Sequence, residues 1–154
     1  MICRISEYKV ELEWLDDTAN PYKRMAKMSS AADKLPEIIC VTPPEFKKGI
    51  ANHWSPEHLF VSSCVACFFT TFMSISESSG LPVKSFKVKG TGILAKDKDG
   101  KSAMTKLDLY PEIVVEKDAD LEKARRVAKK SEANCLIANS MKSEIILHLE
   151  IRKA

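Results

Sequence analysis

Two cysteines three residues apart, Cys64 and Cys67, stand inside the longest uncharged stretch of the chain, within SPEHLFVSSCVACFFTTFMSISESSG from Ser55 to Gly80. A thiol acts as a nucleophile or metal ligand only as the thiolate, so the chemistry open to this pair depends on its surroundings. A CxxC pair supplies half of many zinc sites, and His53 and His58 could be proposed as the other half. Structural zinc pairs usually sit in knuckles, whereas these two fall in mid-helix, which makes a metal-binding module the weaker reading. A thioredoxin-type pair also fits poorly. There the reactive thiol stands at a helix N-terminus, and Cys67 lies about three turns in, beyond the reach of its own helix dipole. Such a thiol is inert and protonated unless charges reach it from elsewhere. Any of the five cysteines is read first as a small buried hydrophobe, and Cys3 and Cys40 are read as bystanders.

The element that must position Cys67 is the helix itself. Ser55 can cap free backbone N–H groups, and Pro56 suits the first helical position because its missing N–H would be unpaired there anyway. Gly80 can take a left-handed C-terminal cap, and Pro82 stops any continuation. The helix between is about 36 Å long at ~1.5 Å per residue. No charge occurs from Leu59 to Ile75, and apolar residues point in every direction. A helix of this kind is buried in a membrane or in a core. Its length is near that of a membrane span. Its serines and threonines, and the soluble character of all that surrounds it, favour a core helix wrapped by sheet.

Around this helix the period-two pattern predicts strands. Arg4 to Trp14 alternates, with Tyr8, Val10, Leu12 and Trp14 on one face; Tyr22 to Ser30 and Glu37 to Val41 follow. After Gly80, Val83 to Leu94 and Ser102 to Glu116 form a hairpin about Asp97-Lys-Asp-Gly100, with Pro111 marking an edge or a bulge. Asp118 or Asp120 caps an amphipathic helix bearing Leu121, Ala124, Val127 and Ala128, and Leu136 to Met141 adds a helical turn. Ser143 to Arg152 closes as an alternating strand. The order β-β-β-α-β-β-α-β gives an α+β fold, read as one domain over 1–154. A single curved sheet covers only one side of a helix, so the other side calls for a second copy of the chain: a homodimer with two long helices between two sheets. Glu57 lies roughly 15 Å from Cys67 along the helix. With the two helices antiparallel, Glu57 of one protomer can approach Cys67 of the other. A carboxylate alone would raise the thiol pKa, so an arginine must accompany it.

The chain has 154 residues, 29% of them charged and 45% hydrophobic, the balance of a folded soluble protein. A formal charge of +3 with no basic block implies no nucleic-acid partner. The opening MICRISEYKVELEW has no apolar run behind a positive charge, so no signal peptide is expected and the expected location is the cytoplasm. Cysteines in that setting do not form a disulfide framework.

Ser55-Pro-Glu-His-Leu-Phe-Val-Ser-Ser-Cys-Val-Ala-Cys-Phe resembles the central helix of the OsmC/Ohr family, which typically reads N-P-E-x-L followed by A-C-F. Cys135-Leu-Ile-Ala-Asn-Ser resembles that family's second cysteine block, typically C-P-small-S-N, with Leu136 where the family usually has proline. The Pro43-Pro-Glu-Phe loop and the element order also fit. The resemblance implies an OsmC-like fold, an intertwined homodimer, and thiol-dependent reduction of hydroperoxides, organic ones preferred, in oxidative-stress defence. It implies that Cys67 is the peroxidatic cysteine, Cys135 the resolving cysteine and Glu57 the interface glutamate, with Arg24 the match for the thiolate-stabilising arginine. An external dithiol would regenerate the enzyme, with no metal or organic cofactor. Cys64 is an extra thiol in this scheme. The alternative is a non-catalytic dimeric OsmC-like protein that binds a small apolar ligand between its helices.

Overall fold

The computed structural model describes residues 6–20 and 22–154, so Cys3 and the start of the first expected strand at Arg4 lie outside the described residues. Seven strands and three α-helices follow in the order β1 (Glu11–Trp14), β2 (Met25–Ser30), β3 (Leu35–Val41), α1 (Pro56–Ser78), β4 (Val83–Lys96), β5 (Ser102–Val115), α2 (Leu121–Ala133), α3 (Leu136–Ser140), β6 (Glu144–Leu147) and β7 (Glu150–Lys153). The strands form two sheets rather than the one expected: β1-β2-β3, and β4-β5 with β6 and β7 both on β5. The chain separates into two compact units, Met1–Leu59 and Phe60–Ala154.

In the first unit β2 pairs antiparallel with both neighbours, Glu13 opposite Lys27 and Lys27 opposite Ile39. Lys27 Nζ reaches Glu13 at 3.1 Å and Glu37 at 3.2 Å, one cation bridging carboxylates on both flanking strands. The strand expected from Arg4 to Trp14 starts only at Glu11 among the described residues; Leu12 and Trp14 of β1, and Tyr8 and Val10 before it, are all exposed, Tyr8 by 89%. The loop after β3 folds back on itself. Ile50 N–H donates to the Thr42 carbonyl at 2.9 Å, Val41 N–H donates to the Trp54 carbonyl at 2.9 Å, and this pins the start of α1 beside β3.

The helix boundaries follow the local chemistry read from the sequence. Ser55 Oγ accepts from His58 N–H at 3.3 Å, and the first helical bond runs from Leu59 N–H to the Ser55 carbonyl. At the other end Gly80 adopts φ +61°, with Gly80 N–H on the Glu77 carbonyl and Leu81 N–H on the Ser76 carbonyl, the paired bonds of a Schellman cap.

The second unit holds the larger core. Cys64, Phe68, Phe72 and Ser76, each four residues after the last, are the buried residues of α1. The first three share one core with Leu107, Leu109, Ile113 and Val115 of β5 and Ala124, Val127 and Ala128 of α2. Phe86 of β4 centres an aromatic cluster, its ring 4.9 Å from Phe72, 5.5 Å from Phe69 and 6.1 Å from Phe68. Glycine lets helix and sheet approach: a Cβ at Gly90 would stand 2.5 Å from Val65 Cγ2 and 3.0 Å from Val61 Cγ1. Length and composition alone would let α1 cross a membrane; within this chain one row of the helix is buried and the rest is half-buried or exposed, so the wholly buried helix expected from the sequence is not what a single chain forms. The side turned away from this row mixes small and polar residues with large apolar ones: Ala66, Thr70 and Ser74 are exposed, and so are Phe69 and Met73.

Three further expectations are corrected. The terminal strand is broken: β6 and β7 pair parallel to β5 on either side of a gap at His148 and Leu149. Pro111 is therefore not at an edge but on the central strand, opposite Val88, where β5 passes from one partner to the other and a missing N–H is least costly. No aspartate side chain caps α2. It continues a 3-10 turn over Asp118–Asp120, where backbone bonds satisfy the early amides. The hairpin turn is as read: Asp97 Oδ1 accepts from Asp99 and Lys101 N–H at 2.9 Å each, and Gly100 sits at φ +76°.

Emptying the aromatic cluster by Phe72→Ala is expected to cost about 3–5 kcal/mol of stability. Gly90→Val is expected to cost about 1–3 kcal/mol by forcing α1 off β4. Urea unfolding midpoints check both; an unmoved midpoint in Gly90→Val would show that the helix is not held this close.

Candidate active site

Three of the four described cysteines converge in the second unit. Cys64 and Cys67 project from α1 in adjacent rows, one turn apart. Cys64 lies in the fully buried row, whereas Cys67 shares the neighbouring, half-buried row with Thr71, whose Oγ1 is 4.0 Å from the Cys67 sulfur. Cys135 is the N-cap of α3, its backbone extended and its sulfur accepting from Ala138 N–H at 3.5 Å. The first turn of α3 shares the core cluster with α1: Cys135 and Ala138 lie in it with Cys64, and Cys67 and Ile137 pack against it.

The electrostatic result divides the pair. Burial pushes the Cys67 thiol up, but the Cys135 thiol, the Ile137 N–H, the Thr71 hydroxyl and the Leu136 N–H all favour its thiolate. Together they leave its pKa below the ordinary thiol value of 9.0. Cys135 moves the other way: burial, then its hydrogen bond to Cys67, then the negative charge of Cys67 and Cys64, push it up to about 12 despite the Ala138 N–H. Cys64 is also raised, chiefly by burial and next by Cys67. One sulfur is thus shifted toward the thiolate and the other toward the protonated thiol.

An open groove of about 390 Å³ lined by Thr70, Thr71, Ser74, Ile75, Lys130 and Asn134 runs beside α1. Thr71 belongs both to this groove and to the Cys67 contacts.

Of the residues singled out from the sequence, Cys67 and Cys135 are brought together. Glu57 and Arg24 belong to the first unit. Arg24 stands just before β2, exposed, its carbonyl accepting from Thr42 N–H at 3.2 Å. Glu57 is in the first turn of α1 with Oε2 buried and without a hydrogen-bond partner, and no ion pair joins it to Arg24. Cys40, the described thiol of that unit, is raised by burial and then by the Glu57 charge, which leaves it unactivated. Both nearby histidines are engaged locally, His58 Nδ1 with Ser55 Oγ at 2.8 Å and His53 Nδ1 with the Ala51 carbonyl at 2.9 Å. Among the described residues no group of three His, Cys, Asp or Glu is arranged to hold a metal. Sequence reasoning missed Thr71 and the two α3 amides. Thr71 sits four residues after Cys67 on the same face and was findable from that spacing. Backbone donors leave no mark in a sequence.

Residues 49–150 match the family model described as OsmC-like protein, and the chain belongs to this family. It is similar to the uncharacterized protein YmaD of Bacillus subtilis strain 168, 25% identical over 116 residues, which are 73% of this chain and 77% of that protein. It is also similar to the solved structure of an OsmC-like protein of unknown function from Vibrio cholerae, with a TM-score of 0.82 and 25% identity over 96% of this chain and 99% of that one. An organic hydroperoxide resistance protein from Elizabethkingia anophelis superposes with a TM-score of 0.69 at 15% identity over 97% of each chain, which shows a shared fold. The expected α+β, OsmC-like architecture is the one found.

Leu136 occupies the position where the family usually has proline, and its N–H is a donor that proline lacks. Proline is tolerated at a first helical position. Leu136→Pro is therefore expected to keep α3 while raising the pH midpoint of Cys67 alkylation relative to the unaltered protein. Site-resolved iodoacetamide labelling across pH measures it; an unmoved midpoint would strike this amide from the donors.

Proposed function

We propose that the protein is a thiol peroxidase that reduces organic hydroperoxides through Cys67 and Cys135 and works as a homodimer in oxidative-stress defence. The observation that carries the reading is the contact of two thiols with opposed protonation, one lowered and one raised. The Cys67 thiolate attacks the terminal peroxide oxygen. The O–O bond breaks, the sulfur keeps the hydroxyl as a sulfenic acid, and the alkoxide takes a proton and leaves as the alcohol. The Cys135 thiol then attacks the sulfenic sulfur. A disulfide forms, and hydroxide leaves as water with the thiol proton. An external dithiol reduces the disulfide in two exchanges. Cys67 is the more accessible of the two sulfurs, which suits it to meet both peroxide and reductant.

Three observations support the homodimer. The apolar residues Leu12 and Trp14 of β1 are uncovered, the first unit buries few apolar side chains, and α1 exposes Phe69 and Met73 beside the small residues Ala66 and Ser74, an apolar surface for a second helix to cover. In an antiparallel pair of α1 helices, Glu57 of one protomer would stand near Cys67 of the other. Its unpaired buried oxygen is an acceptor suited to a guanidinium, the role the resemblance gives Arg24. The family includes organic hydroperoxide resistance proteins, which favours the same substrate class. The ligand-binding alternative gains nothing from two redox thiols in contact.

Cys67→Ser is expected to abolish consumption of cumene hydroperoxide with a dithiol reductant. Cys135→Ser is expected to complete the first half-reaction and hold a sulfenic acid that dimedone traps. Full turnover in Cys67→Ser would remove the reading. Sedimentation should give twice the 17.2 kDa chain mass, and Leu12→Glu with Trp14→Glu should shift it toward the monomer.

A further inference from the structure

The proposed peroxidase chemistry uses two of three sulfurs gathered at the start of α3. Cys64 and Cys135 are 0% and 1% exposed and belong to one buried cluster with Ala138. Cys67 packs against the same cluster, so the three sulfurs share one piece of core beside the first turn of α3. Cys64 and Cys67 are fixed on one regular helix, where a direct disulfide would be strained. Cys135 is thus the sulfur that can pass between the other two.

We propose that Cys64 is a second resolving thiol, which takes Cys135 from the Cys67–Cys135 disulfide and stores the oxidising equivalent as a buried Cys64–Cys135 disulfide. The proposal rests on the peroxidase reading for the origin of the first disulfide. In the exchange Cys64 loses its proton and its sulfur attacks Cys135 Sγ. The bond to Cys67 breaks, and its electron pair leaves on the Cys67 sulfur as thiolate. Over the sequence the Cys64 and Cys135 thiols give up two electrons, the hydroperoxide becomes alcohol and water, and Cys67 ends reduced. Direction comes from the leaving group. Thr71, Leu136 and Ile137 stabilise the Cys67 thiolate, and a disulfide that contains a stabilised thiolate is the more oxidising one. The stored disulfide has neither sulfur open to solvent, so a dithiol can reach it only after Cys67 reverses the exchange.

Wild-type protein is treated with one equivalent of cumene hydroperoxide, and separately with diamide. Both are quenched in acid, alkylated and mapped by tandem mass spectrometry. The expected map has the Cys64–Cys135 linkage predominating, with the alkyl label on Cys67. Cys64→Ala should give the Cys67–Cys135 linkage alone and be re-reduced by dithiothreitol faster than wild type. No linkage through Cys64 under either oxidant overturns the proposal. Hydroperoxide that yields only Cys67–Cys135 leaves the peroxidase reading standing without it. Cys64–Cys135 under diamide, with hydroperoxide untouched, sinks the peroxidase reading and keeps the exchange.

Discussion

Cys64, Phe68, Phe72 and Ser76 form one row of α1 that is packed on β4 and β5, and the orientation of every other row follows from this burial. Val61 and Val65 turn toward Gly90 and Gly92, where only hydrogen leaves room. Cys67 and Thr71 turn toward the first residues of α3. Ala66, Thr70 and Ser74 turn outward. A rotation of the helix by one row would bury Cys67 outright or strand it in solvent, so the exposure of this sulfur is set by the packing of Phe68 and Phe72, one and five residues further on.

The polar half of the site rests on a five-residue helix. Such a helix has little stability of its own. Its N-cap is a sulfur, and the N–H groups of Ile137 and Leu136 are among the causes that hold the other sulfur below the ordinary thiol value. The arrangement supplies what the apolar interior withholds from a thiolate: hydrogen bonds placed before any charge appears. It needs no charged side chain within the second unit to do so.

What could be read from the sequence was local. Ser55-Pro56 and Gly80 bounded α1 because caps are made by the residues that show them. Asp97 to Gly100 gave the hairpin for the same reason. The meeting of Cys67 with Cys135 is long-range, and no periodicity implies it; only the paired motifs of the OsmC/Ohr resemblance pointed there. The break in the terminal strand left no trace because β6 and β7 pair with β5 at the same sequence separation, so Ile145, Leu147, Leu149 and Ile151 alternate straight through it. Tyr8, Val10, Leu12 and Trp14 announced a face to be covered, but alternation cannot say whether the cover belongs to the same chain.

The pairing of β6 and β7 with β5 also bears on biosynthesis. β5 carries Leu107, Leu109, Ile113 and Val115, the apolar floor of the second unit, and β4 satisfies one of its sides early through a hairpin. Its other side waits for strands that are translated only after α2 and α3. Until then the emerging chain presents a long apolar edge, open to pairing with any extended neighbour. The last strands of the unit act as its closing clasp, and a ribosome that stalls before them releases a chain predisposed to aggregate.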